Sequence, residues 1–188
     1  MRHQPYLLQT ERLGMRPYVS ADLEPLRPVF ADPYAAKFYP AMLQQEALER
    51  WINWNLQNYK DNGFGLWALE LLESGLFIGD AGITYQIVEG ERILEIGWHI
   101  HPSFRSRGYA SEAGTACLQY GFNTLHAQTL GSIVDPENAA SIKVASRVHT
   151  QKREYQGKNG ALLLFSTTSS QHATRANHSF QPTAFGGG

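Results

Sequence analysis

Hydrophobic and polar positions divide the chain into segments of differing period. From Tyr6 to Tyr18, Leu7, Leu8, Leu13 and Met15 alternate unevenly with Gln9, Glu11, Arg12 and Arg16, which predicts an early strand with a kink, ended by Pro17. Ser20-Ala21-Asp22-Leu23-Glu24 opens a short helix whose apolar stripe is Leu23, Leu26, Val29 and Phe30. Asp32-Pro33 restarts the chain. From Leu43 to Asn58, Leu48, Trp51, Ile52, Leu56 and Tyr59 recur at helical spacing until Asp61-Asn62-Gly63 stops them. Three strands follow over residues 64–72, 76–87 and 92–100, and the turns between them are short enough for antiparallel hairpins. A helix from about Ala110 to Thr124, a strand over Thr129 to Val134 and a helix over Pro136 to Arg147 come next. Lys152 to Tyr155 and Ala161 to Thr167 make a last strand pair. From Ser166 the composition turns to Ser, Thr, His, Gln, Asn and Gly without periodicity. The expectation is one domain over residues 1–165 and a disordered polar tail over 166–188.

Composition narrows the class. The 188 residues, 43% apolar and 18% charged, suit one compact domain with a sizeable core. A formal charge of −1 gives no reason to expect a nucleic-acid partner, so any anion site must be local. Cys117 is the only cysteine, which excludes an internal disulfide and a cysteine-built zinc site; among alanines on a packed helix face it reads as a small buried hydrophobe rather than a nucleophile. No run reaches the roughly 18 apolar residues of a membrane span, and Met1 to Thr10 lacks the apolar core of a secretory signal. A soluble cytoplasmic protein with no membrane partner is expected, as monomer or homodimer.

Candidate chemistry centres on Glu95 to Ala110, which reads as strand, basic turn and helix start. Arg105-Ser106-Arg107-Gly108-Tyr109-Ala110 puts two cations and a glycine where helix amides lack intrahelical partners, a setting that binds phosphate. On the strand, Glu95 shares a face with Gly97 and His99, while Leu94, Ile96, Trp98 and Ile100 occupy the other. His99 and His101 alternate on one face, but no third ligand declares itself, and no metal is expected.

Arg105-x-x-Gly108-x-Ala110, after a strand and opening a helix, resembles the acetyl-coenzyme A signature of the GCN5-related N-acetyltransferase (GNAT) superfamily. Thr10-Glu11-Arg12-Leu13-x-x-Arg16-Pro17, Glu95-Ile96-Gly97-Trp98 and Asn138-x-x-Ser141 resemble its RimJ/RimL-like branch. The resemblance implies an α+β fold: a mixed, mostly antiparallel central sheet flanked by helices, with a splayed parallel strand pair forming the acetyl-CoA cleft. The splayed strands would be Arg92 to Ile100 and Thr129 to Val134.

It further implies acetyl transfer to a primary amine, a protein N-terminus or a small molecule, by direct attack in a ternary complex. Acetyl-CoA is the expected cosubstrate. Arg105, Ser106, Arg107, Gly108, Tyr109 and Ala110 would hold its pyrophosphate, with Trp98, His99, Ile100, Asn138 and Ser141 along its arm. Glu95 and His99 are the candidate bases, Ser141 the proton donor to the departing thiolate, and Trp54, Tyr39 and Trp98 candidate acceptor contacts. Two departures stand out. Val144-Ala145 occupies the place where many relatives carry an acidic tyrosine, and Val148-His149-Thr150 replaces a glycine-containing helix exit. They keep open a non-catalytic coenzyme A-binding module as the alternative.

Overall fold

A computed structural model describes residues 6–178, and side chains as far as residue 174. Eight strands form one sheet in the order β1-β2-β3-β4-β5-β6-β8-β7. They are β1 (Leu8–Gln9), β2 (Leu13–Arg16), β3 (Leu66–Leu71), β4 (Phe77–Val88), β5 (Glu91–Ile100), β6 (Thr129–Val134), β7 (Gln151–Gly157) and β8 (Gly160–Thr168). Every neighbouring pair is antiparallel except β5–β6. The helices are α1 (Leu23–Ala31), α2 (Pro33–Phe38), α3 (Gln45–Asn62), α4 (Tyr109–Asn123), α5 (Ala139–Val148) and α6 (Ser169–His178). The α+β class and the parallel β5–β6 pair are as expected.

Alternation along β3 shows how both sheet faces are filled. Leu66 and Ala68 pack with Leu26, Phe30, Leu48 and Ile52 of α1 and α3, whereas Trp67 and Leu69 join Ala113 and Cys117 of α4. Cys117 is sealed in that second core, and burial pushes its thiol up to about 12, which removes it as a nucleophile.

Sequence pattern missed α2. Its start is set by Asp32, whose carboxylate accepts from the Tyr34 and Ala35 amides, and by Pro33 at the first helical position. Six residues are too few for an apolar period to declare itself. The helix start before α1 is held by the Asp22 carboxylate accepting from the Val19 amide, not by Ser20.

The tail also differs from expectation. Ser166, Thr167 and Thr168 continue β8 against Gly131, Leu130 and Thr129, and α6 follows. Backbone pairing does not depend on side-chain polarity, and the Gln171 side chain then accepts from the Thr168 amide and the Thr150 hydroxyl. The remainder, 179–188, lies outside the described residues.

The pairing of β5 with β6 is short. Leu94 faces Leu130 and Glu95 faces Gly131; beyond them side chains replace the ladder. Ser132 Oγ donates to the Ile96 carbonyl at 2.7 Å, and the Ile133 amide donates to Glu95 Oε1 at 3.2 Å. Ser132 is held in turn by His149, at the helix exit where the resemblance implies a glycine. His149 has an extended backbone (φ −102°, ψ 164°), so α5 runs into β7 without a left-handed residue and the altered exit carries no strain.

Its ring is buried between Ser132 Oγ (2.9 Å from Nε2) and Thr167 Oγ1 (3.4 Å from Nδ1), and Thr167 accepts from the Thr150 amide. One proton arrangement satisfies the whole chain: Thr167 donates to Nδ1, Nε2–H donates to Ser132, and Ser132 donates to Ile96. Desolvation lowers the His149 pKa from 6.5 to about 4.

The unfolded chain therefore gains a proton below pH 6.5 that the folded chain refuses until about 4; the contribution of His149 is complete above 6.5 and is lost as pH falls to 4. Replacing His149 with Leu is expected to destabilise the protein by about 2 kcal/mol at neutral pH, because Ser132 Oγ loses its donor and the Thr167 hydroxyl proton its acceptor in a buried site. Thermal unfolding from neutral pH down to pH 4 should show the gap between wild type and variant narrowing; a gap independent of pH would contradict a buried neutral ring.

Candidate active site

Where β5 and β6 part, a cleft opens with two arms. One, about 500 Å³, lies between the Arg105–Ala110 turn, α5 and the α1–α2 segment. The other, about 410 Å³, lies on the α1–α3 side of the sheet. Phe38, Tyr39, Trp98, His99, Asn138 and Ser141 border both, so the arms meet at the strand gap.

Strand parity gives the backbone in that gap. The Ile96 carbonyl points to β6 through Ser132, while the His101 amide donates across to Ile78 of β4. Groups on one strand side alternate residue by residue, so the Trp98 amide and carbonyl face the gap with no strand partner. The Trp98 ring packs on the other sheet face, in the cores beneath α4 and α5. Ile100 gives its carbonyl to Arg105 Nε at 3.0 Å.

The first arm ends at the start of α4. Gly108 takes a left-handed conformation (φ 86°) as its N-cap, and Ser106 is also left-handed (φ 61°), a turn that aims successive amides outward. The Tyr109, Ala110 and Ser111 amides at the first helical positions have no intrahelical acceptor, a built anion site. Ser106, Gly108, Ala110 and Ser111 line the arm, with Arg105 and, from α5, Lys143 and Arg147.

The guanidinium of Arg105 is already engaged, with Asp32 at 2.6 Å and the Val29 carbonyl at 3.4 Å. Arg105 ties the turn to α1 and α2, and its guanidinium holds the Asp32 carboxyl below the ordinary value despite partial burial. Arg107 lies over the Phe104 ring and Tyr109 under the Arg12 guanidinium; neither borders the arm.

Thr10 and Arg12 explain why the early motif matters. Both bind Glu112 in the first turn of α4, at 2.5 Å from Thr10 Oγ1 and 2.7 Å from Arg12 Nε, and Arg12 also donates to the Arg107 carbonyl. Partial burial acts to raise the Glu112 pKa, but these bonds bring it below the ordinary value. The β1–β2 corner thus clamps the anion-binding turn.

The second arm is acidic and aromatic. Glu95 and Asp135 supply carboxylates, Phe38, Tyr39, Trp51 and Trp54 supply rings, and among the described residues no Lys or Arg borders it. Desolvation raises the Glu95 pKa from 4.5 to about 7, against the lowering effects of the Ile133 amide and nearby His99. Burial, then the charges of Glu95 and Asp80, keep the Tyr39 hydroxyl protonated. Trp54 is 39% exposed and its ring lies tilted against that of Trp51, whose place on the α3 stripe favours core packing.

His99 Nδ1 lies 2.6 Å from Asp80, a fully buried carboxylate that also accepts from Tyr18 Oη and Trp51 Nε1. Asp80 escaped the sequence reading. Its signal was a lone carboxylate in the apolar run Phe77-Ile78-Gly79-Asp80-Ala81, in register with His99. A Cβ on Gly79 would sit 2.0 Å from the His99 carbonyl oxygen, so only glycine allows this approach.

Asn138 caps α5 by accepting from the Ser141 amide, and its Oδ1 also accepts from Tyr34 Oη at 2.8 Å. With Lys37–Glu137 at 2.9 Å, this fastens α2 across the cleft to α5. Among the described residues no group of three or more His, Cys, Asp or Glu gathers as a metal site, and no helix is long and apolar enough to cross a membrane.

Comparison with known proteins matches this architecture. Residues 12–151 match the family described as an acetyltransferase (GNAT) domain. The uncharacterised protein YkkB of Bacillus subtilis is 35% identical over 142 residues, covering 75% of this chain and 83% of YkkB. An acetyltransferase structure from Agrobacterium tumefaciens superposes with TM-score 0.74 at 29% identity, over 89% of this chain and 99% of that one. RimL, a ribosomal-protein acetyltransferase solved with coenzyme A, shares the fold at 13% identity (TM-score 0.70, 87% and 97% covered). The chain belongs to the GNAT acetyltransferases, in their RimJ/RimL-type family, which take the acetyl group from acetyl-CoA.

Proposed function

We propose that this protein transfers acetyl from acetyl-CoA to a cationic primary amine, on a small molecule or a protein N-terminus, by direct attack in a ternary complex. The observation that carries this reading is the segregation of charge between the two arms. Cations and a helix start border one, carboxylates and aromatic rings the other, and the two meet at Trp98, His99, Asn138 and Ser141. An anionic cofactor and a cationic acceptor suit those linings respectively.

In this reading the turn amides from Ser106 to Ser111 hold the pyrophosphate, with Lys143 across from them, and Arg105 acts mainly by fixing the turn. The pantetheine arm pairs with the free backbone of Trp98. The acceptor arrives as an ammonium ion beside Glu95 and loses a proton; Glu95 and His99 are the groups able to take it. The amine lone pair then attacks the thioester carbon, and the Trp98 amide faces the oxyanion.

Collapse breaks the C–S bond, and the thiolate takes a proton from Ser141. The second proton of the attacking nitrogen restores Ser141, so each turnover yields amide, thiol and one released proton. Tyr39, at the same junction, offers a second protonated hydroxyl where the family tyrosine is absent. That supply of donors favours an enzyme over a binding module.

Coenzyme A is expected to raise the melting temperature, and free thiol should appear from acetyl-CoA with at least one of spermidine, phenethylamine or an Ala-initiated peptide. No stabilisation by coenzyme A would contradict the cleft assignment. Arg105→Ala should weaken coenzyme A binding at least tenfold, about 1.4 kcal/mol, and lower the melting temperature of the free protein. Lys143→Ala should weaken binding severalfold with that temperature unchanged; equal effects of the two variants on stability would contradict the division of labour.

Because Glu95 ionises near pH 7, Glu95→Gln should match wild-type rates near pH 6 and fall progressively behind through pH 8. A ratio that does not vary with pH would remove Glu95 from the reaction.

A further inference from the structure

The buried acid Asp80 has no ordinary structural explanation. Its side chain is fully sealed at the middle of β4, yet no Lys or Arg among the described residues pairs with it. A carboxylate in that position is costly unless donors surround it. Three do: Tyr18 Oη at 2.6 Å, Trp51 Nε1 at 3.0 Å and His99 Nδ1 at 2.6 Å. Tyr18 comes from the packed core and Trp51 from the wall of the second arm, while the His99 ring borders both arms of the cleft.

Everything around that ring fixes it. Phe30, Tyr39 and Trp51 surround it with centroids at 4.9, 4.9 and 5.4 Å, two of them edge-on. Nε2 is opposite the Asp80 contact and has no hydrogen-bond partner among the described residues. Among the described residues, the side-chain nitrogens sealed without a partner are those of Asn58 and Trp67. His99 Nε2 is not one of them, and its ring borders both arms of the cleft.

We propose that Asp80 is a positioning residue for His99: it holds the ring with Nδ1 protonated, so that the Nε2 lone pair faces the arms' junction and takes the proton of the attacking amine. Glu95, which borders the acceptor arm alone, then serves as the counter-ion that receives the ammonium group. This rests on the acetyl-transfer reading above. Nε2 first accepts one proton from the ammonium nitrogen, which frees the lone pair to form the N–C bond, and later releases that proton to solvent; a second proton leaves the nitrogen after attack and follows the Ser141 route to the thiolate. A carboxylate fixing an imidazole tautomer is the established logic of acid–histidine pairs.

The titratable groups that face His99 are Asp80 and, beyond it, Tyr18, together with Glu95 on the same strand face and Tyr39 against the ring. No other titratable side chain contacts the ring among the described residues.

Nitrogen-15 spectra of the imidazoles test the positioning without any acceptor. His99, assigned by difference from His99→Gln, should be the Nδ1–H tautomer when neutral, and Asp80→Asn should convert it to Nε2–H. A wild-type ring already in the Nε2–H form overturns the proposal, whatever the protein acetylates.

Turnover supplies the second arm, with spermidine, phenethylamine and the Ala-initiated peptide as probes. Asp80→Asn should lower kcat at least about tenfold, with coenzyme A affinity within about twofold of wild type. Glu95→Gln should instead act mainly on the acceptor KM. If Asp80→Asn does not fold, His99→Gln, whose amide can still donate to Asp80, must show the same loss. A folded Asp80→Asn or His99→Gln with wild-type kcat and pH profile overturns the dyad. A coenzyme A-binding wild type that acetylates none of the probes would count against the transfer reading, while the tautomer still decides the positioning.

Discussion

The parting of β5 from β6 is the constraint on which the rest of this structure depends. A parallel pair would ordinarily continue its ladder, and unpaired strand backbone in the middle of a sheet is costly. Here the cost is limited by two side chains that stand in for ladder bonds. Ser132 takes the Ile96 carbonyl, and Glu95 takes the Ile133 amide. His149 and Thr167 lock Ser132 from behind, so the opening is a fixed feature of the core rather than a fluctuation at its edge. What remains free is the backbone of Trp98, at the place where the two arms join.

The cleft walls come from distant parts of the chain, each anchored by charge. Arg12 and Thr10 grip Glu112 at the start of α4; Arg105 reaches Asp32 at the start of α2; Tyr34 and Lys37 of α2 reach Asn138 and Glu137 before α5. These partly exposed pairs contribute little each to stability. Their effect is positional: they set three helix starts around one space. Burial does the remaining chemistry, moving Glu95 towards neutrality and holding Tyr39 protonated by the same loss of solvent.

Much of this was legible from residues alone. Strands of alternating or continuous apolar character, the α3 stripe and the Gly63 stop gave most of the element order, because local periodicity survives in each, although the one kinked strand expected at the start is the β1–β2 antiparallel pair. Residues Glu95, His99, Asn138 and Ser141 border one arm of the cleft. Four features were not legible. Helix α2 is set by a cap and a proline rather than by a period. Strand β8 and helix α6 run through a polar segment, since backbone pairing with β6 does not register in composition. Asp80 acquires its meaning only through the cross-strand register that brings it to His99, a long-range fact absent from any window of sequence. The arginine at 105, conspicuous in the motif, proved to be tied to Asp32, which local sequence could not reveal.

Amide hydrogen exchange along β5 tests the open gap most directly. In the free protein the Trp98 amide should exchange much faster than its neighbours Gly97 and His99, although it lies in mid-strand, because those two face β4 and it faces the cleft. Adding acetyl-CoA should slow Trp98 to the rate of its neighbours and leave them unchanged. A Trp98 amide already protected without cofactor, or one that coenzyme A binding leaves exposed, would contradict a cleft built from the separation of β5 and β6.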